Sequence, residues 1–303
     1  MKISAAIPTL AALAVLGGRV LAQAPVDYNK VQITSVKLAP NFYVLNGQGG
    51  AIGVLTGPDG VLMVDSQFAP LTEKIVAEIK KVSNNAPIKF LINTHVHPDH
   101  TGGNENLGKM GVTIFAREEL RNRLAHPNPG ANGQPGTPAP AAALPVITYE
   151  SPLTFHIDGE DARAIPIPKA HTDGDTLVFF PNANVIMIGD YFRSLGYPNI
   201  DRANGGSLNG MLAGIDTAIK LCNATTKVVP GHGEIVDRNG LAAHRDMIIA
   251  IRDKIAPMVS QGKTLEEVMA AKPTAAYDAK VPDAQTTIAR FVGQVYAELK
   301  AGK

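Results

Sequence analysis

The sequence predicts an α/β protein with its sheets inside and its helices outside. Strand-like apolar runs occur in two blocks, and helix-like segments with a 3.6-residue apolar period follow each block. The composition supports this prediction, because a chain of 303 residues that is 45% hydrophobic and only 18% charged can bury a large core. The two blocks have a similar plan, which is consistent with this α/β layering.

Residues 1–24 have the pattern of a secretory signal peptide. The apolar stretch Ile3–Leu16 follows a basic start, and small residues allow cleavage after Ala22 or after Ala24. An uncleaved membrane anchor is the alternative, but the stretch is short for a span and ends at two glycines and Arg19. We therefore expect an exported protein, periplasmic or secreted, with no stable membrane anchor after cleavage.

The charge balance restricts the partners of the chain. It has 28 Lys and Arg residues against 27 Asp and Glu residues, so it has no strong electrostatic attraction to nucleic acid or to anionic lipid. Cys222 is the only cysteine, which excludes an intramolecular disulfide. A small-molecule substrate is the partner we expect, and the sequence leaves the oligomeric state open.

The first block reads as three strands and then a helix. Glycine-rich turns, one of them at Pro58-Asp59-Gly60, divide residues 41–66 into three strand-like runs. Ala69–Ser83 is predicted as an amphipathic helix, because apolar residues recur at helical spacing between Lys and Glu. The block continues with a buried strand "IKFLINT", a helix Gly102–Met110, a strand "VTIFA" and a helix Arg117–Leu124.

The second block begins after residues 126–145, which are rich in proline, glycine and alanine. This segment is predicted as a flexible surface excursion or a semi-rigid spacer outside the core. Residues 25–303 are expected to form a single domain, of which 241–303 is a helical C-terminal part. The predicted elements are strands in "LTFHID", "RAIPIP", "DTLVFFP", "ANVIMIGD" and "TKVVPG", and helices Leu208–Leu221, Leu241–Val259, Leu265–Ala271 and Ala284–Lys300.

The segment "NTHVHPDHTGG", residues 93–103, contains three of the eight histidines of the chain. Imidazole nitrogen and carboxylate oxygen are ligands that zinc prefers. His95 and His97 are two apart, so they point to the same side of an extended segment and can face one metal ion. Asp99 and His100 reach a neighbouring position as the chain turns. A structural role could explain one of these histidines, but hardly three.

Three later residues follow apolar strands, where α/β folds place their ligands. His171 follows "IPIPKA", Asp190 ends "VIMIGD", and His232 lies in "VVPGHG". Each of them alone would be interpreted as a turn or cap residue. Together with the histidine cluster they supply seven potential ligands, enough for two metal ions that share a bridging carboxylate.

The motifs "THVHPDHTGG", "AHTDGD", "IGD" and "PGHG", in this order and spacing, resemble those of the metallo-β-lactamase-fold hydrolases. The resemblance extends from about Val31 to Arg252 and implies an αββα sandwich of the metallo-β-lactamase type, with its site at the sheet edges. It also implies two Zn²⁺ per chain. By motif match, His95, His97 and His171 hold the first zinc, Asp99, His100 and His232 hold the second, Asp190 bridges them, and Asp65 supports the site without binding metal.

The resemblance implies an exported binuclear zinc hydrolase that attacks a strained or activated carbonyl with a metal-bound hydroxide. Asp99 is the predicted catalytic residue, because it would orient the nucleophile and pass its proton to the leaving group. A β-lactam ring, and hence a role in antibiotic resistance, is the best single prediction of substrate. A lactone or another ester is the alternative, since the complete ligand set resembles that of the generic hydrolases of the fold.

Two other classes of protein remain possible from the sequence. A mononuclear iron sulfur dioxygenase can use a similar His and Asp cluster, and a non-catalytic metal-binding protein can have the same fold. Arg193, three residues after Asp190, is predicted to bind a substrate carboxylate, because a lysine has this spacing in the β-lactamases that the chain resembles. A solvated surface arginine is the alternative.

Overall fold

The computed structural model describes residues 26–129 and 133–302 and has the predicted αββα architecture. A sheet of seven strands faces a sheet of five strands, and helices cover the outer face of each. The predicted signal peptide lies outside the described residues. None of the helices in the described part of the chain combines the length and the apolar character needed to cross a bilayer.

The seven-stranded sheet runs in sequence order from β1 to β7. Its first four strands pair antiparallel, and the pairs from β4 to β7 are parallel. β3 and β4 are buried on both faces, which explains their uninterrupted apolar sequences. The strands are β1 Thr34–Ala39, β2 Phe42–Asn46, β3 Ile52–Gly57, β4 Gly60–Val64, β5 Ile88–Ile92, β6 Thr113–Ala116 and β7 Ile147–Thr148.

The five-stranded sheet has the order β12-β11-β10-β9-β8, in which only β11 and β12 are parallel. β8, the edge strand, alternates between partly buried and exposed residues before its buried last residue. Most of its neighbour β9 alternates between buried and exposed residues, because one face of these strands meets solvent. The strands are β8 Leu153–Ile157, β9 Glu160–Pro166, β10 Thr176–Phe180, β11 Val185–Met187 and β12 Lys227–Val229.

The helices agree with the predicted segments except at two boundaries. The helix predicted from Gly102 is preceded by a separate turn of helix that begins at Pro98, inside the histidine cluster. The long C-terminal helix begins at Arg238, because the side chain of Asp237 accepts from Gly240 N at 2.8 Å and caps it. The helices are α1 Thr72–Val82, α2 Pro98–Thr101, α3 Asn104–Lys109, α4 Glu118–Ala125, α5 Leu208–Leu221, α6 Arg238–Ser260, α7 Leu265–Ala270 and α8 Ala284–Ala301.

Apolar side chains fill three layers. Val44, Leu62 and Val178 belong to the layer between the two sheets. Ile75 of α1 packs on the outer face of the larger sheet, and Phe291 of α8 lies in the layer outside the smaller sheet. Burial of these side chains stabilises the sandwich at about 25 cal/mol per Å² of apolar surface.

The Pro-rich segment 126–145 differs from the predicted flexible excursion. Its last part forms a 3-10 helix, Ala141–Ala143, that packs on α3, and Ala143 is buried. The carbonyl of Ala143 accepts from the side chain of Asn104 at 3.2 Å. The composition of the segment favours a spacer because proline and glycine are typical of loops, but this part of the segment belongs to the core.

Candidate metal centre

The first half of the chain contributes one edge of the site. Asp65 follows β4 directly, and His95 and His97 follow β5. Because β4 and β5 are parallel neighbours, their carboxyl ends meet at the same edge of the sheet. Asp99 and His100 are on α2, and this single turn of helix changes the direction of the chain after His97.

The second half contributes three loops at the facing edge. His171 lies in the turn after β9, and Asp175 closes this turn by accepting from Thr172 N at 2.9 Å and from Thr172 Oγ1 at 2.7 Å. Asp190 lies in the 3-10 turn that follows β11, and His232 follows β12. Residue 231 must be glycine, because a Cβ there would lie 1.9 Å from Oδ1 of Asp190.

All seven predicted ligands converge at this edge. Nδ1 of His97 lies 2.9 Å from Nε2 of His171, and Nε2 of His232 lies 3.0 Å from Oδ2 of Asp99 and 3.4 Å from Oδ2 of Asp190. The side chains form three overlapping groups whose ligand atoms lie within 4.8 Å of one another. These groups are His95, His97 and His171; His95, His100 and Asp190; and Asp99, His100 and His232.

The nitrogen atoms that face the centre are free to bind a metal ion. His171 donates from Nδ1 to Asn199 O at 2.7 Å, and His97 donates from Nε2 to Asp201 Oδ2 at 2.7 Å. When both rings are neutral, their other ring nitrogens, which are 2.9 Å apart, both carry lone pairs. Two facing lone pairs repel each other unless a cation lies beside them. This pair of histidines fits a metal ion.

Three further buried atoms in the centre have no hydrogen-bond partner among residues 26–129 and 133–302, namely His95 Nε2, His100 Nε2 and Asp190 Oδ1. His100 Nε2 and Asp190 Oδ1 are 3.2 Å apart without hydrogen-bond geometry. Leaving a buried polar atom without a partner costs about 1–3 kcal/mol. Coordination to metal would satisfy all three atoms, and imidazole with carboxylate is a donor set typical of zinc.

The electrostatics divide the histidines into two kinds. Burial and the neighbouring imidazoles hold the pKa of His95 well below its usual range, and burial lowers the pKa of His171 to about 4. Burial also acts to lower the pKa of His232, but the carboxylates of Asp190 and Asp99 outweigh it and raise this pKa to about 9. His95 and His171 are thus neutral ligands at neutral pH, whereas His232 would release a proton when it binds metal.

The model of the Metallo-beta-lactamase superfamily matches residues 45–233. This range contains every predicted ligand. The chain belongs to the metallo-beta-lactamase superfamily. It has the fold of the hydrolases in this superfamily, and its His and Asp groups can hold metal.

Among curated superfamily proteins, the chain is 24% identical over 288 residues to the linear primary-alkylsulfatase of Pseudomonas sp. (strain ATCC 19151). This match covers 80% of the chain, but the chain spans only about half, 54%, of the length of that relative. It is 25% identical over 191 residues to the metallo-beta-lactamase type 2 of Bacillus cereus, which covers 63% of the chain and 69% of that protein.

Solved structures show the same fold. DIM-1 metallo-beta-lactamase superposes with a TM-score of 0.58 and 20% identity, over 72% of the chain and 98% of its own length. The inverting sec-alkylsulfatase Pisa1 from Pseudomonas sp. superposes with a TM-score of 0.64 and 18% identity, over 89% of the chain and 50% of its own length. The superposition covers 89% of the chain, and the residues outside it are fewer than those of helices α6–α8. It therefore includes part of these C-terminal helices.

Asp65 lies beside the candidate centre and contacts one of its histidines directly. Its Oδ2 accepts from Nδ1 of His100 at 2.7 Å and from Oγ1 of Thr94 at 2.7 Å. Oγ1 of Thr94 in turn lies 3.1 Å from Nδ1 of His95. Asp65 therefore orients His100 directly and His95 through Thr94, and leaves Nε2 of each ring pointing into the centre.

The residues that orient His97 and His171 were not predicted from the sequence. Asn199 O and Asp201 Oδ2 hold His171 and His97, and both residues lie in one short segment, 199–201. Gln294 of α8 holds this segment, because it accepts from Ile200 N at 2.9 Å and donates to Asn199 Oδ1 at 2.8 Å. No local motif marks these residues, since they lie between 28 and 104 positions from their partners.

Arg193 lies in the loop that follows Asp190. Its Nε donates to Leu195 O at 3.0 Å, and the next residue, Ser194, donates its N–H to His232 O at 3.0 Å. Arg290 of α8 donates to Tyr197 O at 3.2 Å in the same loop. Burial and the charge of Arg193 lower the pKa of Arg290, and Asp190 acts against both. Within the described ranges, neither arginine has a carboxylate at ion-pair distance.

Proposed function

We propose that this protein is a metal-dependent hydrolase that holds two zinc ions and cleaves strained or activated carbonyl compounds. One observation carries the proposal. Seven imidazole and carboxylate side chains converge, and three of their buried atoms have no partner within the described protein. A structural cluster would pair these atoms with protein donors and acceptors. The pattern of tautomers instead leaves lone pairs pointing at a common centre.

The proposed ligand sets follow the motif assignment. His95, His97 and His171 would hold the first ion, Asp99, His100 and His232 the second, and Asp190 would contact both. Zinc bound there would lower the pKa of a water molecule toward about 7, and the ion held by His95, His97 and His171 would polarise the carbonyl of the substrate. Asp190 fits a bridging role, because one of its oxygens lies 3.2 Å from His100 and the other lies 3.4 Å from His232.

Asp99 is the residue we propose to hold and move the proton. Its carboxylate is partly exposed, unlike that of Asp190, and its Oδ2 accepts from His232. Burial acts to raise the pKa of Asp99, but the hydrogen bond from His232 and the charges of His100 and His232 together outweigh it and lower this pKa. The carboxylate is therefore ionised at neutral pH and can accept a proton from the nucleophile and deliver it to the leaving group.

A β-lactam is the first substrate candidate. It agrees with the similarity to the Bacillus cereus enzyme, and with the export that the N-terminal sequence predicts, because a periplasmic or secreted enzyme meets such compounds outside the cytoplasm. Arg193 would bind the carboxylate of the substrate. Lactones and other activated esters are the alternative within the same chemistry.

A sulfate ester is a second candidate, and a specific observation favours it. The two alkylsulfatases cover more of this chain than the two β-lactamases reported above, and Pisa1 superposes on part of the C-terminal helices. Arg193 and Arg290, both without a carboxylate partner among the described residues, would provide positive charge for a sulfate beside the centre.

The proposal is tested by assaying the zinc-loaded protein against β-lactams, lactones, thioesters and primary and secondary alkyl sulfates. Asp190→Ala is the loss-of-function control and should lose mainly the second zinc and several orders of magnitude of kcat. Asp173→Asn is the matched control, since Asp173 lies in the adjacent motif but pairs with Arg123 at 2.7 Å. Metal analysis that finds one tightly held iron, with no hydrolysis after zinc loading, would favour a dioxygenase instead.

A further inference from the structure

A cavity of about 440 Å³ opens beside the metal centre, between the Pro-rich segment 126–145 and the turn 201–204. His97 and its partner Asp201 both line it, so the cavity shares a side chain with the first ligand set. Asp99, His100 and His232 do not line it. The cavity therefore adjoins the first ligand set and not the second, and its volume is typical of small-molecule subsites.

The two walls of the cavity are held together by hydrogen bonds. Asn128 Nδ2 donates to Ala203 O at 2.8 Å and to Asn204 Oδ1 at 3.1 Å, which ties the Pro-rich segment to the turn. Ala139 N donates to Leu124 O at 2.9 Å and closes the base of the segment on α4. The described part of the segment is thus a fixed wall.

The lining has no net charge, and more of it is apolar than polar. The guanidinium of Arg123 is paired with Asp173 at 2.7 Å, and the carboxylate of Asp201 is paired with His97 at 2.7 Å. Neither Arg123 nor Asp201 therefore needs a counter-charge from a ligand. The other lining side chains are mostly apolar, namely Val96, Pro98, Leu124, Pro127, Pro129 and Ala139. Burial in such a cavity favours an apolar group and penalises a charged one.

We propose that this cavity is a substrate subsite that binds an uncharged, apolar substituent, such as an alkyl chain, on the carbonyl side of the scissile bond. The Pro-rich segment then sets the size of the substituent that the enzyme accepts. The assignment to the carbonyl side rests on the proposed function, in which the first ion polarises the carbonyl. The existence of the subsite rests on the cavity itself.

The kinetic test uses 4-nitrophenyl esters from acetate to octanoate with the zinc-loaded enzyme. Each buried methylene should raise kcat/KM about fourfold until the cavity is full. Ala139→Phe fills the cavity and should abolish this dependence, while kcat/KM for the acetate ester stays within about twofold. Ala203→Phe fills it from the opposite wall and replaces the first variant if that one fails to fold. Ala141→Phe, on an exposed position of the same segment, is the matched control.

A binding test needs neither metal nor turnover. The chain contains no tryptophan, so Thr137→Trp places a single fluorophore at the exposed rim of the cavity. Titration of the metal-free variant with hexanamide, an uncharged probe, should change the emission saturably. Adding Ala139→Phe to this variant should abolish the change, and adding Ala141→Phe should not.

The two tests separate the subsite from the proposed function. One outcome is that no ester is cleaved, but hexanamide binds saturably and Ala139→Phe abolishes this binding. That outcome would refute carbonyl hydrolysis and support the cavity as a ligand site. Cleavage with a length dependence that both filling variants leave unchanged would overturn the subsite. Absence of both ester cleavage and hexanamide binding would overturn it too.

Discussion

Oδ2 of Asp201 lies 2.7 Å from Nε2 of His97, although the two residues are 104 positions apart in the chain. Burial acts to raise the pKa of Asp201, but the hydrogen bonds from His97 and Asn204 outweigh it and hold this pKa well below its usual range. The carboxylate is therefore charged and would make His97 a stronger ligand for a metal ion.

Replacing Asp201 with asparagine keeps the shape of this contact but removes its charge. We expect Asp201→Asn to weaken binding of the first zinc about 10–100-fold without changing the fold. Competition with a chromophoric chelator measures the affinity. Asp161→Asn is the matched control. Asp161 makes an equally short contact with a histidine, the exposed His156, but neither residue belongs to the candidate metal centre. Equal zinc affinities in wild type and Asp201→Asn would contradict the role of the carboxylate.

Gln294 is expected to act on the first zinc from the C-terminal helix. Gln294→Leu removes the hydrogen bonds to Ile200 N and Asn199 Oδ1, and so loosens the segment that orients His97 and His171. We predict a loss of first-zinc affinity of about tenfold. Gln294→Glu keeps the acceptor and should restore part of it, as a titration with Co²⁺ followed by visible absorption would show.

Thr287→Val is the control for Gln294. Thr287 is on the same helix and accepts from Tyr197 N at 2.8 Å, but it does not touch residues 199–201. The variant should destabilise the protein to a similar extent without changing the Co²⁺ affinity. A parallel loss of affinity in both variants would mean that docking of the helix in general, and not Gln294, supports the centre.

Arg193 is predicted to select anionic substrates. The contact with a carboxylate or sulfate exists in the ground state and in the transition state alike, so Arg193→Ala should raise KM for anionic substrates and leave kcat nearly intact. Neutral lactones should not respond to the change. Arg252→Ala, which removes a partly exposed arginine of α6 paired with Asp253, is the control for loss of charge. An unchanged KM for every anionic substrate would assign Arg193 to the solvated surface.

His244 is predicted to make the protein less stable in acid. Burial lowers the pKa of His244 to about 4, against about 6.5 in an unfolded chain. Below pH 6.5 the unfolded state therefore binds a proton that the native state excludes, and stability falls as the pH falls from 6.5 toward 4. At pH 5 this single group costs on the order of 1–2 kcal/mol.

His244→Leu should remove this part of the pH dependence. The free energy of unfolding of the variant, relative to that of wild type, should therefore be higher at pH 5 than at pH 7. Urea unfolding at the two pH values measures the difference. His156→Leu, at an exposed position, should show no such gain. A free-energy difference between His244→Leu and wild type that is the same at both pH values would show that the native protein tolerates the proton.

Most of the secondary structure could be predicted because its causes are local. The apolar runs of β3 and β4 and the helical spacing of α1 are visible in short windows of sequence. The structure differs from the predicted elements where the conformation of a segment depends on the element that it packs on. The end of the Pro-rich segment has a loop-like composition, yet Ala143 is buried because α3 offers it a surface to pack on.

The seven potential metal ligands could be named from sequence because histidine and aspartate at strand ends are rare and chemically distinctive. What they do there is still a proposal. Their supporting residues could not be named, since an ordinary asparagine, aspartate or glutamine acquires a role only from the atom that it meets.

The sequence by itself thus determined the family, the two layers of sheet and the residues able to bind metal, because these depend on side-chain chemistry and on short-range periodicity. Only the tertiary structure decided which imidazole nitrogen faces the centre, because that choice depends on distant acceptors such as Asp201 and the carbonyl of Asn199. It also decided that the Pro-rich segment forms a wall beside His97, since Asn128 reaches the turn at Ala203 only when the chain is folded.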